Sequence, residues 1–139
     1  MLRQILRLTV HITLAIFITT TLVAAEPMER TNTTALWFEN WQGLSNATLK
    51  VSTPDGALID IFAPTGTPRF QLRAVNPVVD GVYNYELSAA TDEMVPVQNQ
   101  LDNGRGKAAK KETAQSFQMG GFFIVNRGVI TKRENLVEE

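Results

Sequence analysis

Asp80-Gly81-Val82-Tyr83-Asn84-Tyr85-Glu86-Leu87 is the stretch that decides the fold. An Asp-Gly pair turns the chain, and a strict alternation follows it. Tyr83, Tyr85 and Leu87 point one way, and Val82, Asn84 and Glu86 point the other. A period of two with aromatic and branched residues is the pattern of a half-buried strand. The strand is expected over Val82–Ala89.

The same pattern recurs on both sides. Upstream, Ala47–Ser52 alternates with Leu49 and Val51 on one face. Pro54-Asp55-Gly56 is a turn signal, and Ala57–Phe62 is the next strand. Ala63–Pro68 holds two prolines and a glycine and reads as a loop. Phe70, Leu72 and Ala74 alternate with Gln71 and Arg73, a strand that Asn76-Pro77 ends. Leu36-Trp37-Phe38 with Trp41 reads as a short strand and a turn. Downstream, Gln98–Gln115 is a polar insertion with one helical turn near Lys107–Ala114. It offers little to bury, so it is expected to be mobile and open to trypsin. Gly120-Gly121 then leads into Phe122-Phe123-Ile124-Val125, Asn126-Arg127-Gly128 turns the chain, and Val129–Thr131 pairs back as a hairpin.

Six or seven short strands with no convincing amphipathic helix predict an all-β domain, a β-sandwich. Leu49, Val51, Ile59, Ile61, Phe70, Leu72, Tyr83, Tyr85, Leu87, Phe123 and Val125 are its expected core.

The ends set the organisation. Arg3 and Arg7 precede an uncharged, apolar, Thr-rich run from Leu8 to Val23, and Val23-Ala24-Ala25 offers small residues to a cleaving protease. Residues 1–25 therefore read as a cleavable signal peptide, a signal helix cut after Ala25. An uncleaved membrane anchor is the alternative. Residues 26–34 read as a flexible leader, 35–131 as the sandwich with its insertion at 98–115, and 132–139 as a charged tail. The localisation expected is periplasmic or secreted, with no membrane span left after cleavage.

Composition prunes the chemistry. The chain has 13 basic and 14 acidic residues. Losing Arg3 and Arg7 with the signal leaves a mildly acidic domain, which argues against nucleic-acid binding. Cysteine is absent, and the single histidine is His11, inside the signal. Ser-His-Asp and Cys-His nucleophiles and ordinary zinc sites are excluded from the mature chain. No cofactor and no metal are expected. Asp55, Asp60, Asp80 and Glu86 are the candidate acids, but no spacing among them resembles a calcium loop or a catalytic carboxylate pair.

Three groups of side chains are candidates for binding. Trp37 and Trp41 could form a carbohydrate platform, against the commoner use of such aromatics in a core. Arg105, Lys107, Lys110 and Lys111 form a basic cluster in the insertion, suited to an acidic partner or simply solvated. Phe122 and Ile124 lie on the face of the last hairpin opposite Phe123 and Val125. Unless something covers them they make an apolar interface, and an edge strand there could accept a strand from another chain. Asn32-Thr33-Thr34 and Asn46-Ala47-Thr48 fit the N-glycosylation pattern, which occurs often by chance.

Gly81-Val82-Tyr83-Asn84-Tyr85 resembles the tyrosine-corner segment of immunoglobulin-like domains. The resemblance makes Tyr83 the corner, its hydroxyl bonding back to upstream backbone, and places Tyr85 in a buried position. Both roles are structural. The two core cysteines of such domains are missing. Residues 80–87, the polar insert and Gly121–Ile130 together resemble small uncharacterised secreted bacterial proteins with a DGxYxYEL strand and a terminal GxFxVxxGxI hairpin. That likeness covers about half of residues 26–139. It implies an immunoglobulin-like architecture and, at most, an accessory role beside surface or fibre-like proteins.

The function expected is a non-enzymatic interaction module with a protein partner. The alternatives are a carbohydrate-binding module using Trp37 and Trp41, and a glycan-active enzyme working through carboxylates alone.

Overall fold

Alternating side chains need two environments, and two sheets supply them. The computed structural model describes residues 26–97 and 111–131. Its strands are β1 (Met28–Thr31), β2 (Ala35–Glu39), β3 (Leu44–Ser52), β4 (Leu58–Ala63), β5 (Phe70–Gln71), β6 (Gly81–Pro96), β7 (Glu112–Asn126) and β8 (Val129–Thr131). The smaller sheet has the order β1-β2-β5, and the larger β4-β3-β6-β7-β8. Every pairing is antiparallel. The described residues are thus all-β in two antiparallel sheets, consistent with a β-sandwich.

The core lies between the sheets. Leu36 and Phe38 of β2 and Phe70 of β5 meet Leu49, Val51, Tyr83, Leu87 and Val125 of the larger sheet, all essentially without solvent exposure. Each such burial is worth roughly 1.5–3 kcal/mol. Ring contacts tie the layers: Phe38 to Tyr85 at 5.6 Å and Phe70 to Phe123 at 5.5 Å between centroids. Gly121 stands directly opposite Tyr85 in the ladder. A Cβ there would fall 2.5 Å from the Tyr85 hydroxyl oxygen, so only glycine leaves room for the ring.

Four features differ from the sequence reading. Within the expected leader, Met28–Thr31 pairs with β2, although β1 is mostly exposed and lacks an apolar period. After Gln71 the chain does not continue as a strand. Leu72–Ala74 is a single 3-10 turn, which buries Leu72 and Val75 and leaves Arg73 and Ala74 exposed. Ile59 and Ile61 are only partly buried, because β4 is the sheet's edge and lacks a neighbour on one side among the described residues.

The fourth difference is the longest. β6 and β7 stay paired as far as Pro96–Glu112, and the Val97 amide still donates to the Lys111 carbonyl at 3.0 Å. Glu112–Gln115 is therefore strand rather than insertion or helical turn. Residues 98–110 of the insertion, the signal and the tail lie outside the described residues. A bulge between Ala90 and Met94 marks where β6 outruns β3, whose last partner on it is Thr91. Beyond that point the hairpin is a two-stranded ribbon.

Candidate functional site

The structure concentrates exposed apolar side chains where β6, β7 and β8 end together. Val82 stands opposite Ile124, and Val129 opposite Asn126. Strand parity puts Val82, Phe122, Ile124 and Val129 on one surface, the outer face of the larger sheet. Their relative exposures are 47, 38, 39 and 40 %. Phe122 sits two residues along β7 from Ile124, opposite Asn84.

This corner is held firmly. Arg127 and Gly128 both have positive φ, 54° and 75°, the combination of a type I′ hairpin turn. Asp80, the residue just before β6, closes it by accepting hydrogen bonds from the Arg127 amide at 2.8 Å and the Gly128 amide at 2.9 Å. Those two donors, Gly128 first, hold the Asp80 carboxyl below its ordinary pKa. Asp80 thus does more than begin its own turn: it caps another.

Three residues further along, the Tyr83 hydroxyl donates to the Val79 carbonyl at 2.8 Å and accepts from the Val79 amide at 3.3 Å. The ring is fully buried and stacks on Phe123 at 5.1 Å. The loop entering β6 is thereby tied to its own strand.

Beside the corner, an open hollow of about 560 Å³ runs between the edges of β1 and β7. Phe122 and Ile124 line it with Glu29, Thr31, Tyr85 and Thr131. The Tyr85 hydroxyl donates to Glu29 Oε2 at 2.6 Å. Burial first, then that carboxylate, pushes the Tyr85 phenol far above its ordinary pKa. The group stays protonated and serves as a donor that links the two sheets.

The other sequence candidates are dispersed. Trp37 lies on the outer face of the smaller sheet, where the Arg69 guanidinium sits 4.8 Å from its ring centroid and Arg30 stands opposite in register. Trp41 packs against the core 6.3 Å from Phe38, with its indole nitrogen buried and without a hydrogen-bond partner among the described residues. The two tryptophans do not share a platform. Asp55 accepts the Thr53 hydroxyl in the β3–β4 turn. Asp60 and Glu86 both stand opposite Lys50 in the larger sheet, one on each side. Asn32 uses its side-chain oxygen to bind the amides of Thr34 and Ala35. Arg105, Lys107 and Lys110 lie outside the described residues. Among those described, no group of three or more His, Cys, Asp or Glu side chains could hold a metal. No helix of the described residues is long and apolar enough to cross a membrane.

Sequence reasoning missed the Asp80 clamp. Its partners are 47 and 48 residues away, and an Asp-Gly pair already explained the aspartate locally. It also missed the Glu29 contact to Tyr85, because β1 itself carried no signal. Compared with models of protein families, with curated proteins and with solved structures, the chain has no match.

Proposed function

We propose that the protein is a non-enzymatic, exported interaction module of immunoglobulin-like architecture, acting in the periplasm or outside the cell. The observation that carries this reading is the corner formed by Val82, Phe122, Ile124 and Val129. Exposed branched and aromatic side chains cluster there on a hairpin end that Asp80 and Tyr83 hold rigid. A rigid apolar surface loses little conformational freedom on docking, so its burial is available for affinity. The acids give no competing arrangement: they are dispersed between a turn, a cap and a face that Lys50 shares. The Tyr83 geometry supports the immunoglobulin-like assignment, since a hydroxyl bound four residues upstream is the tyrosine-corner arrangement.

Affinity capture from the native host tests the reading. Wild type is compared with Phe122→Ser/Ile124→Ser, both checked for folding by circular dichroism. The folded double variant is expected to lose the partners that wild type recovers. Equal recovery by two folded baits would remove this surface as the binding site.

One observation favours a second reading. The Arg69 guanidinium sits 4.8 Å from the Trp37 ring centroid, a cationic aromatic pair that suits an acidic saccharide better than a neutral one, while Arg30 opposite Trp37 is already paired with Glu39 at 2.7 Å. Quenching of tryptophan fluorescence by acidic glycans, lost in Trp37→Ala, would favour it.

A further inference from the structure

The smaller sheet carries, at β5, two cations that no acid balances. Arg69 and Arg73 flank Gln71, the last residue of β5, and all three line an open hollow of about 550 Å³. Both arginines are exposed, and Gln71 is half-buried. The only ion pair among the described residues joins Arg30 to Glu39, so neither Arg69 nor Arg73 has a carboxylate partner among them. No Asp or Glu lines the hollow. Gly128 is part of the lining, and the Asp80 carboxylate bonded there has both oxygens engaged by the Arg127 and Gly128 amides.

The local fold brings the two arginines to one place. A straight strand would set Arg73 roughly 13 Å from Arg69. Instead the chain leaves the strand after Gln71 in the 3-10 turn Leu72–Ala74. The Leu72 side chain is buried, its amide donates to the Thr34 carbonyl at 2.8 Å, and the Val75 amide closes back on the Leu72 carbonyl at 3.0 Å. That anchored turn returns Arg73 to the hollow that Arg69 lines. Arg69 is restrained from the other side. Its guanidinium sits 4.8 Å from the Trp37 ring centroid, a contact that supplies no oxygen to its N–H groups.

We propose that this hollow binds a tetrahedral oxyanion, the phosphate or sulfate group of an ester, between Arg69 and Arg73. Each guanidinium is a planar fork of N–H donors. A single fork saturates a carboxylate by taking both of its oxygens in a bidentate pair. Two forks call for more acceptors, and a phosphate or sulfate ester presents three terminal oxygens. The Gln71 side-chain amide, which bonds to nothing among the described residues, adds a neutral donor. Leu72 and Val78 give the esterified carbon an apolar wall. The oxyanion site narrows the acidic-saccharide reading to one charged group, and rests on it only in placing Arg69 on a binding surface. It is independent of the corner at Phe122.

Isotope-labelled protein purified from an exporting host is titrated with sulfate, phosphate and acetate at constant ionic strength and followed by nuclear magnetic resonance. Sulfate and phosphate should give saturable shifts centred on Arg69, Gln71 and Arg73, with acetate about tenfold weaker. Methyl phosphate against methyl sulfate then ranks the two esters. Arg73→Gln removes one fork at an exposed position and should weaken binding about tenfold, as the loss of a charge-assisted hydrogen bond requires. Lys50→Gln, in the other sheet, should change nothing. Trp37→Ala removes the aromatic ring and neither fork, so anion binding should persist within about fivefold while quenching by acidic glycans is lost. Shifts that do not saturate overturn the proposal. So does acetate binding as tightly as sulfate, or a folded Arg73→Gln that binds as well as wild type. If the glycans alone fail to bind, the saccharide reading falls and the oxyanion site stands.

Discussion

The β6–β7 hairpin holds two regions made by the same two strands in one ladder. From Gly81 to Ala89, β6 presents Tyr83, Tyr85, Leu87 and Ala89 to the core, each almost completely buried. From Asp92 to Pro96 no residue is buried, and the same is true of Glu112–Ser116 across the ladder. Apart from the bulge between Ala90 and Met94, the antiparallel pairing is the same in kind in both halves. What changes is the company: β3 on one side and the smaller sheet above are present for the first half and absent for the second. The ladder therefore gives shape to both halves, while burial supplies stability to only one.

The sharpest way to break this comparison is to empty the half that is buried. Phe70→Ala removes a fully buried ring that touches both Tyr83 and Phe123. It should cost about 3–5 kcal/mol in urea denaturation. A loss below 1 kcal/mol would mean that the sheets are not held together through this contact.

Tyr83→Phe keeps the ring and deletes one hydroxyl. The Val79 amide and carbonyl lose their shared partner, and roughly 1–3 kcal/mol should go with it. Equilibrium unfolding of the variant measures the value of the corner apart from the packing.

Asp80 sharpens the comparison at the solvent-facing end of the buried half. Its folded pKa is depressed from an ordinary 3.8, so its contribution is present above that pH and lost as pH falls through the lower folded value. Wild type should lose stability there more steeply than Asp80→Ala, and the two curves should converge in acid. Denaturation midpoints across that range provide the check, and parallel curves would show that the clamp contributes nothing.

The smallest effect belongs to the ribbon. Met94→Ala, at an exposed position, should change stability by no more than about 0.5 kcal/mol. The amides of Met94, Val95 and Val97 should exchange hydrogen well before those from Tyr83 to Leu87, since local opening there uncovers no core.

The same contrast explains what could be read from the sequence. β3, the start of β6 and the last hairpin were legible, because each buries alternate residues and so carries a period of two: Leu49 with Val51, Tyr83 with Tyr85, Phe123 with Val125. The ribbon and β1 were not legible. Neither has a buried face, so Thr91–Pro96 and Met28–Thr31 are strands by pairing alone, and pairing leaves little trace in composition. The 3-10 turn at Leu72 passed as a strand because Phe70 and Leu72 are both buried, and burial two residues apart suits either geometry. Of the candidate site, Phe122 and Ile124 were named from parity. Val82 and Val129 joined them only once the register was known.

Closing the ribbon at Val97 and Lys111 has a consequence for the history of the chain. The two ends of segment 98–110 are already brought together by a hydrogen-bonded pair. Exchanging that segment for one twice as long would alter the closure entropy by only about 0.6 kcal/mol. The ribbon also carries that closing pair away from the sandwich, roughly 13 Å along β7 from Ser116 to Glu112 at the usual rise per residue. Insertions, deletions and wholesale replacement at this point are thus nearly invisible to folding. Selection can rewrite the segment for new surroundings while the two sheets stay as they are.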